Sequence, residues 1–207
     1  MTIQCYQVGA LSTNTYLVIE NKKVLLIDPA DISEEINKTI KDNKLEITAI
    51  LLTHGHFDHI KGLPYYYRQG EMTIYCHENT IPALRDSNVN LSALVNEEIS
   101  FDYPVFSWKE EQTILHIGDF QIKVFHCPGH TVGDTCYYLE KENSLFSGDT
   151  LFMGSVGRSD FPGGDHEQLI NSIKNLSSYI PKKTEIFPGH GLNTILESEL
   201  KNNPYLQ

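Results

Sequence analysis

The chain has 207 residues, with 16 Lys plus Arg against 27 Asp plus Glu and a formal net charge of -11. It is long enough for one α/β domain with a real core, and too acidic to offer the basic face that phosphate backbones require. The four cysteines form no C-x-x-C pair, and no apolar run approaches the ~20 residues that cross a bilayer, so nucleic-acid binding, membrane insertion and a disulfide scaffold are set aside.

Residues 2–8, 14–19 and 23–28 read as short strands, and 32–40 has helical spacing. The apolar run Ile47-Thr48-Ala49-Ile50-Leu51-Leu52 reads as a buried strand, and Thr53-His54-Gly55-His56-Phe57-Asp58-His59 follows it directly. Three imidazoles and a carboxylate in seven positions point to a metal, because neutral imidazole and carboxylate are ligands that zinc and neighbouring first-row metals accept. His54 and His56, at i and i+2, leave an extended chain on the same side and can grip one ion together. Asp58 and His59 then belong to a second ion. Pro64 is tolerated only in a first helical turn, so the helix bearing Tyr65, Tyr66 and Tyr67 is expected to begin near Lys61, with the tyrosines in packing roles. Residues 87–111 are the least regular stretch and read as a lid-like insertion.

The second half, 112–147, is rich in strands, and three segments there and beyond end in a potential ligand. Ile122-Lys123-Val124-Phe125 leads to Pro128-Gly129-His130, Ser144-Leu145-Phe146 to Gly148-Asp149, and Glu185-Ile186-Phe187 to Pro188-Gly189-His190. Ligands gather at carboxyl ends of strands in open α/β sheets, so His54, His56, Asp58, His59, His130, Asp149 and His190 can converge. Seven groups exceed the roughly three that one catalytic zinc takes and suit two ions. Asp58 is tied to its local loop, which leaves Asp149 as the better bridge, with His130 and His190 completing one ion each. A helix near 166–178 capped by Asp165 or His166, a strand at 184–187 and a terminal helix from about 193 complete the pattern. Two halves, each sheet then helix, predict an α/β fold built as an αββα sandwich over a single domain, 1–207, with the metals at one edge. His77, His116, His126 and His166 read as non-ligands, His126 being the nearest to a role in orienting one. Cys127 reads as a wall of its loop, and the cysteines as buried free thiols. The start Met1-Thr2-Ile3-Gln4-Cys5-Tyr6 has no basic segment followed by an apolar one, and the cytoplasm is the expected compartment.

The motifs His54-Gly55-His56-Phe57-Asp58-His59, Pro128-Gly129-His130, Gly148-Asp149 and a final His190, with Asp28 closing an early strand, resemble those of metallo-β-lactamase-fold hydrolases. Within that superfamily the chain most resembles the glyoxalase II-like thioester hydrolases. The resemblance implies one ion on His54, His56 and His130, a second on Asp58, His59 and His190, and Asp149 between them. The loop Gly157-Arg158-Ser159-Asp160-Phe161-Pro162-Gly163-Gly164-Asp165 is similar to one that follows the bridging Asp in compact members, where Arg158 either staples Asp160 or faces an anionic substrate. Full glyoxalase II enzymes carry a C-terminal helical region with basic contacts to glutathione, and the match to this chain stops short of it. A glutathione pocket would have to come from the Arg158 loop or from 81–111.

The expected reaction is hydrolysis of S-2-hydroxyacylglutathione, such as S-lactoylglutathione, or of a related small thioester. Two divalent ions are expected, zinc first, with iron or manganese also accepted by this donor set. Asp149 and Asp58 would be the catalytic carboxylates, Asp58 helping to orient the attacking water. A thiol of pKa ~8.5 leaves without a strong acid, which favours thioester over amide. The alternatives are a persulfide dioxygenase-like enzyme with one iron on two His and one Asp, and a lactonase or β-lactamase. An electron-transfer diiron protein, whose resemblance would imply a flavin domain and a carboxylate in place of one early imidazole, ranks lower, as does a non-catalytic metal binder, since all seven groups are present. Oligomeric state stays open.

Overall fold

In the computed structural model, which describes residues 1–70 and 72–207, successive side chains of the central strands enter different cores, as the two-residue period of extended chain demands. The first six strands are β1 (Thr2–Val8), β2 (Thr13–Glu20), β3 (Lys23–Ile27), β4 (Glu46–Leu51), β5 (Thr73–His77) and β6 (Val105–Trp108), adjacent in that order in one sheet. The remainder are β7 (Gln112–Ile117), β8 (Phe120–His126), β9 (Thr135–Leu139), β10 (Ser144–Gly148), the small hairpin β11 (Leu151–Phe152) and β12 (Ser155–Val156), then β13 (Glu185–Pro188) and β14 (Thr194–Ile195). The second sheet has the order β14-β13-β10-β9-β8-β7.

Tyr16, Leu25, Ile27 and Leu51 of the first sheet meet Ile122, Tyr137, Phe146 and Phe187 of the second in an inner core. Their chain neighbours Leu17, Leu26 and Ile50 face outward and are covered by helices α1 (Glu34–Asp42), α2 (Phe57–Ile60), α3 (Leu63–Tyr67) and α4 (Ile81–Arg85), through Ile36, Ile60, Leu63 and Leu84. On the far side Tyr138, Leu145 and Ile186 are covered by α5 (His166–Leu176) and α6 (Leu196–Asn202), through Leu169, Ile173 and Leu196. This is the αββα sandwich that the sequence predicts. Among the described residues no helix is long and apolar enough to cross a membrane.

Several boundaries differ from expectation, each for a local reason. Ser33 accepts a hydrogen bond from the Ile36 amide (3.3 Å), so α1 starts after it rather than at 32. The tyrosine helix begins at Leu63, not Lys61, because the chain breaks at Gly62, whose amide donates to the Pro29 carbonyl (2.8 Å). Tyr66 is buried and its hydroxyl accepts from the Ser33 amide, while Tyr65 accepts from Asn37, so both serve packing. The lid-like reading of 87–111 holds only in part, since Val105–Trp108 forms the edge strand β6, parallel to β5. Four residues are too short a run to show that alternation beside an irregular loop. A two-residue strand precedes the terminal helix, and Asp165 rather than His166 caps α5, accepting from the Gln168 amide. Cys5 is exposed; Cys76, Cys127 and Cys136 are buried, and all four are free thiols.

The break at Gly62 separates α2 from α3, and a Cβ there would fall 2.7 Å from the Asp31 carbonyl oxygen and 2.8 Å from that of Pro29. Gly62→Ala is expected to destabilise the fold by about 1–3 kcal/mol through overpacking against rigid backbone. A urea titration would read this as a lower midpoint at unchanged slope.

Candidate metal centre

Parallel pairing of β3 with β4 and of β10 with β13 brings several strand ends to one edge of the sandwich. His54 and His56 follow β4, Asp149 follows β10, and His190 follows β13. His130 lies on the turn between β8 and β9, and Asp58 and His59 ride on the single turn of α2. All seven residues singled out from the sequence meet there, in two groups. One is His54, His56 and His130; the other is Asp58, His59 and His190. Asp149 lies between them, its Oδ2 3.6 Å from His130 Nε2 and 3.7 Å from His190 Nε2, its Oδ1 3.4 Å from His59 Nε2.

The separations are those of ligands around an ion rather than of hydrogen-bonded pairs. Atoms held ~2.0–2.2 Å from a tetrahedral metal lie about 3.3–3.6 Å from one another. His54 Nε2 is 3.3 Å from His130 Nε2, His190 Nε2 is 3.3 Å from Asp58 Oδ2, and His59 Nε2 is 3.5 Å from the same oxygen. His56 Nδ1 is closer to His130 Nε2, at 2.9 Å. Among the described residues, His59 Nε2 and Asp149 Oδ1 are buried without a hydrogen-bond partner, a costly state that a cation would relieve. Gly189 is tight against both, since a Cβ at that position would collide with Asp149 Oδ1 and lie 2.7 Å from His59 Cε1. The donor set and its spacing therefore fit a pair of ions.

Ring orientation is held from behind. Buried Asp28, at the end of β3, accepts from the Thr53 amide (2.8 Å), the Thr53 hydroxyl (2.6 Å) and His59 Nδ1 (2.9 Å). Having given its proton to Asp28, the Thr53 hydroxyl accepts from His54 Nδ1 at 3.1 Å. His130 Nδ1 donates to the Arg158 carbonyl at 2.6 Å. In each of these three rings Nδ1 carries a proton and Nε2 faces the centre. Thr13 donates to Asp58 Oδ2 (2.9 Å), and Asp134 accepts from the His130 and Thr131 amides, which shapes the turn that presents His130.

Sequence reading had noticed Asp28 only as a strand-terminal acid, and it missed Thr13, Thr53 and Asp134. The acid after an apolar strand was a usable signal; a threonine or a backbone carbonyl leaves none. Arg158 takes the first of the two readings given to it, the staple to Asp160. Its guanidinium makes two 2.8 Å bonds to Asp160 and lies 3.9 Å above the Phe161 ring, while its carbonyl is what reaches the centre. His126 bonds the Val132 carbonyl and stacks on His77 at 3.8 Å, with no bond to a ligand ring, so the orienting role considered for it falls to Asp28, Thr53 and the Arg158 carbonyl.

The charges divide the groups. Burial, then the neighbouring His59 and His56 rings, hold His54 well below its ordinary pKa, and burial with His130 takes His56 down to about 3. Both therefore offer lone pairs at any neutral pH. Burial works against ionisation of Asp58 and Asp149, but the His59 charge outweighs it and both lie below the usual carboxylate range. Burial likewise opposes a charge on His59 and His190, yet the surrounding carboxylates raise both. Without an ion, the second group holds its balance with protons.

A model of the metallo-beta-lactamase superfamily matches residues 8–190. The hydroxyacylglutathione hydrolase GloC of Haemophilus influenzae is 31% identical, with 100% of this chain and 98% of that protein covered. Among solved structures, the BLEG-1 B3 metallo-β-lactamase superposes with a TM-score of 0.94 at 36% identity, covering 99% of each chain. TTHA1623, solved in a di-iron-bound form, gives 0.86 at 34% identity, covering 98% of this chain and 100% of that one.

Two outcomes follow from the charges and bonds. An ion entering at Asp58, His59 and His190 must displace the imidazole protons that are already raised in pKa, whereas His54 and His56 have none to lose. As pH is lowered from 8 toward 5.5, dialysis against a chelator should remove about half of the bound metal first and the remainder only at lower pH, read by elemental analysis. Asp28→Asn, which weakens the hold on His59 and Thr53, is expected to lower metal affinity about 10–100-fold in a chelator competition.

Proposed function

Since the chain belongs to the metallo-β-lactamase superfamily and is a metallo-hydrolase of that fold, we propose that it hydrolyses thioesters, with S-2-hydroxyacylglutathione, such as S-lactoylglutathione, as the leading substrate. The observation that carries this reading is the convergence of five imidazoles and two carboxylates on two adjacent sets of lone pairs, with His59 Nε2 and Asp149 Oδ1 left unpartnered among the described residues. The similarity to GloC supports the thioester class.

His54, His56 and His130 would hold one ion and Asp58, His59 and His190 the other, with Asp149 shared. Bound there, two divalent cations supply Lewis acidity and water made nucleophilic near neutral pH. The chain's own part is orientation and charge. Asp28, Thr53 and the Arg158 carbonyl keep the Nε2 atoms of His59, His54 and His130 aimed inward. Asp58 and Asp149 stay ionised and are the carboxylates positioned to orient water. His190 is the most open of the seven side chains, 30% exposed, so substrate enters past it and Asp58. Among the described residues that line the centre, every acid is already engaged as a ligand or a brace. A thiolate of pKa ~8.5 can depart without a donated proton, and an amine cannot.

Zinc is the first choice of ion, and iron has the support of the di-iron form of TTHA1623. Arg158, exposed beside Phe161, would meet anionic groups of the thiol carrier. The free thiols suit a reducing compartment such as the cytoplasm. A second reading, β-lactam hydrolysis, is favoured by the similarity to BLEG-1, though its nitrogen leaving group makes the heavier demand for an acid.

The zinc- and iron-loaded protein should cleave S-lactoylglutathione with two equivalents of metal per chain, faster than it opens a chromogenic cephalosporin. His54→Ala or Asp149→Ala should lower kcat by more than about 100-fold, beyond the loss typical of residues that only brace a ligand. A cephalosporin rate above the thioester rate would transfer the assignment to the lactam. One bound iron with oxygen uptake would transfer it to a persulfide dioxygenase.

A further inference from the structure

We infer that the cleft beside Asp58 is an acyl subsite, which restricts the enzyme to short, uncharged acyl groups; this rests on the thioesterase reading. The cleft has a volume of about 150 Å³, and Asp58 is among the residues that line it. Its walls are Val8 at the end of β1, Leu11 from the turn between β1 and β2, Phe57 at the start of α2, and Val95 from the segment that follows α4. Leu11 and Val95 are half exposed, and both line the cleft together with Asp58.

The walls are braced rather than loose. The Phe57 amide donates to the Asn90 carbonyl (2.9 Å), and buried Asn90 Nδ2 donates to the Ala83 and Ile99 carbonyls (2.9 and 2.8 Å). The part of 87–111 that the sequence presents as a lid is thus a fixed side of this cleft.

Size and charge decide which end of a thioester enters. A cavity of this volume holds a body the size of benzene, whereas drug-sized ligands take about 300–1,000 Å³. A peptide or nucleotide thiol carrier is too large, and an acyl chain of up to about six carbons is not. The rim carries one cation and two anions, since Lys61 Nζ is bonded to Glu97 at 2.7 Å and lies 3.9 Å from Asp31. With Asp58 at the base, the field is negative and repels a second carboxylate on the acyl arm. The carrier then lies on the opposite side, toward Arg158 and Phe161.

The test uses the zinc-loaded protein and N-acetylcysteamine thioesters, whose neutral thiol keeps the carrier constant, with acetyl, butanoyl, hexanoyl, octanoyl and succinyl groups. kcat/KM should rise about four-fold per added methylene, level off near hexanoyl, and be lowest for succinyl. Leu11→Trp, which fills the cleft from an exposed turn, should cut the hexanoyl-to-acetyl ratio at least ten-fold. Glu97→Gln, which frees Lys61, should raise succinyl relative to butanoyl about five-fold, the size of one solvent-exposed charge interaction. Calorimetric binding of the matching non-hydrolysable ketones gives the same ratios without turnover. Length-dependent ketone binding that Leu11→Trp abolishes would uphold the subsite even if no thioester were cleaved, in which case the thioesterase reading falls alone. Binding and turnover indifferent to chain length, or ratios unchanged in both variants, would overturn the subsite.

Discussion

Crowding two carboxylates and five imidazoles into one largely buried space is tolerable only if the charge is balanced from within. The rest of the structure answers to that constraint. Asp58 and Asp149 remain ionised although burial opposes it, because His59 and His190 are held positive beside them. His54 and His56 solve the problem in the opposite way, as rings that burial keeps neutral. One group therefore balances its charge with protons that an ion can replace, whereas His54 and His56 offer lone pairs with nothing to remove. Two adjacent positions of unequal proton demand arise from the same short stretch of chain.

Asp28 is the point at which fold and centre join. It ends β3, in a left-handed backbone conformation that an aspartate tolerates better than most residues, and its two oxygens gather Thr53 and His59. The strand after it in the sheet, β4, delivers His54 and His56 to the same edge. Sheet register thus fixes the distance between the brace and the ligands it braces. The second sheet contributes by the same logic, since Asp149 and His190 follow the parallel strands β10 and β13.

A centre of this kind makes nucleophilic water; it does not choose a substrate. Choice belongs to the surface around the open side at His190 and Asp58, where a small apolar cleft with a negative rim lies on one hand and the Arg158–Asp160 pair, stacked on Phe161, lies on the other. The similarities to a hydroxyacylglutathione hydrolase and to a B3 β-lactamase, at 31% and 36% identity, are compatible with one catalytic apparatus whose selectivity is written in these flanks.

The seven polar groups of the centre were legible in the sequence because each follows an apolar strand, and a costly polar residue in that position has few structural uses. The layered sandwich was legible for a related reason: short strand-like runs such as β3, β4 and β9, followed in each half by helical spacing, declare two sheets each covered by helices. Short elements were not. β6 has four residues and β14 two, so tertiary pairing rather than pattern decides them. The split between α2 and α3 depends on the approach of Gly62 to the Pro29 and Asp31 backbone, which no local rule announces. By itself the sequence determined which side chains gather and roughly on which layers they stand, since both follow from residue chemistry and periodicity. Only the tertiary structure decided which nitrogen of each ring faces inward, which groups brace them and where a substrate arm can lie, because those depend on contacts between residues dozens of positions apart.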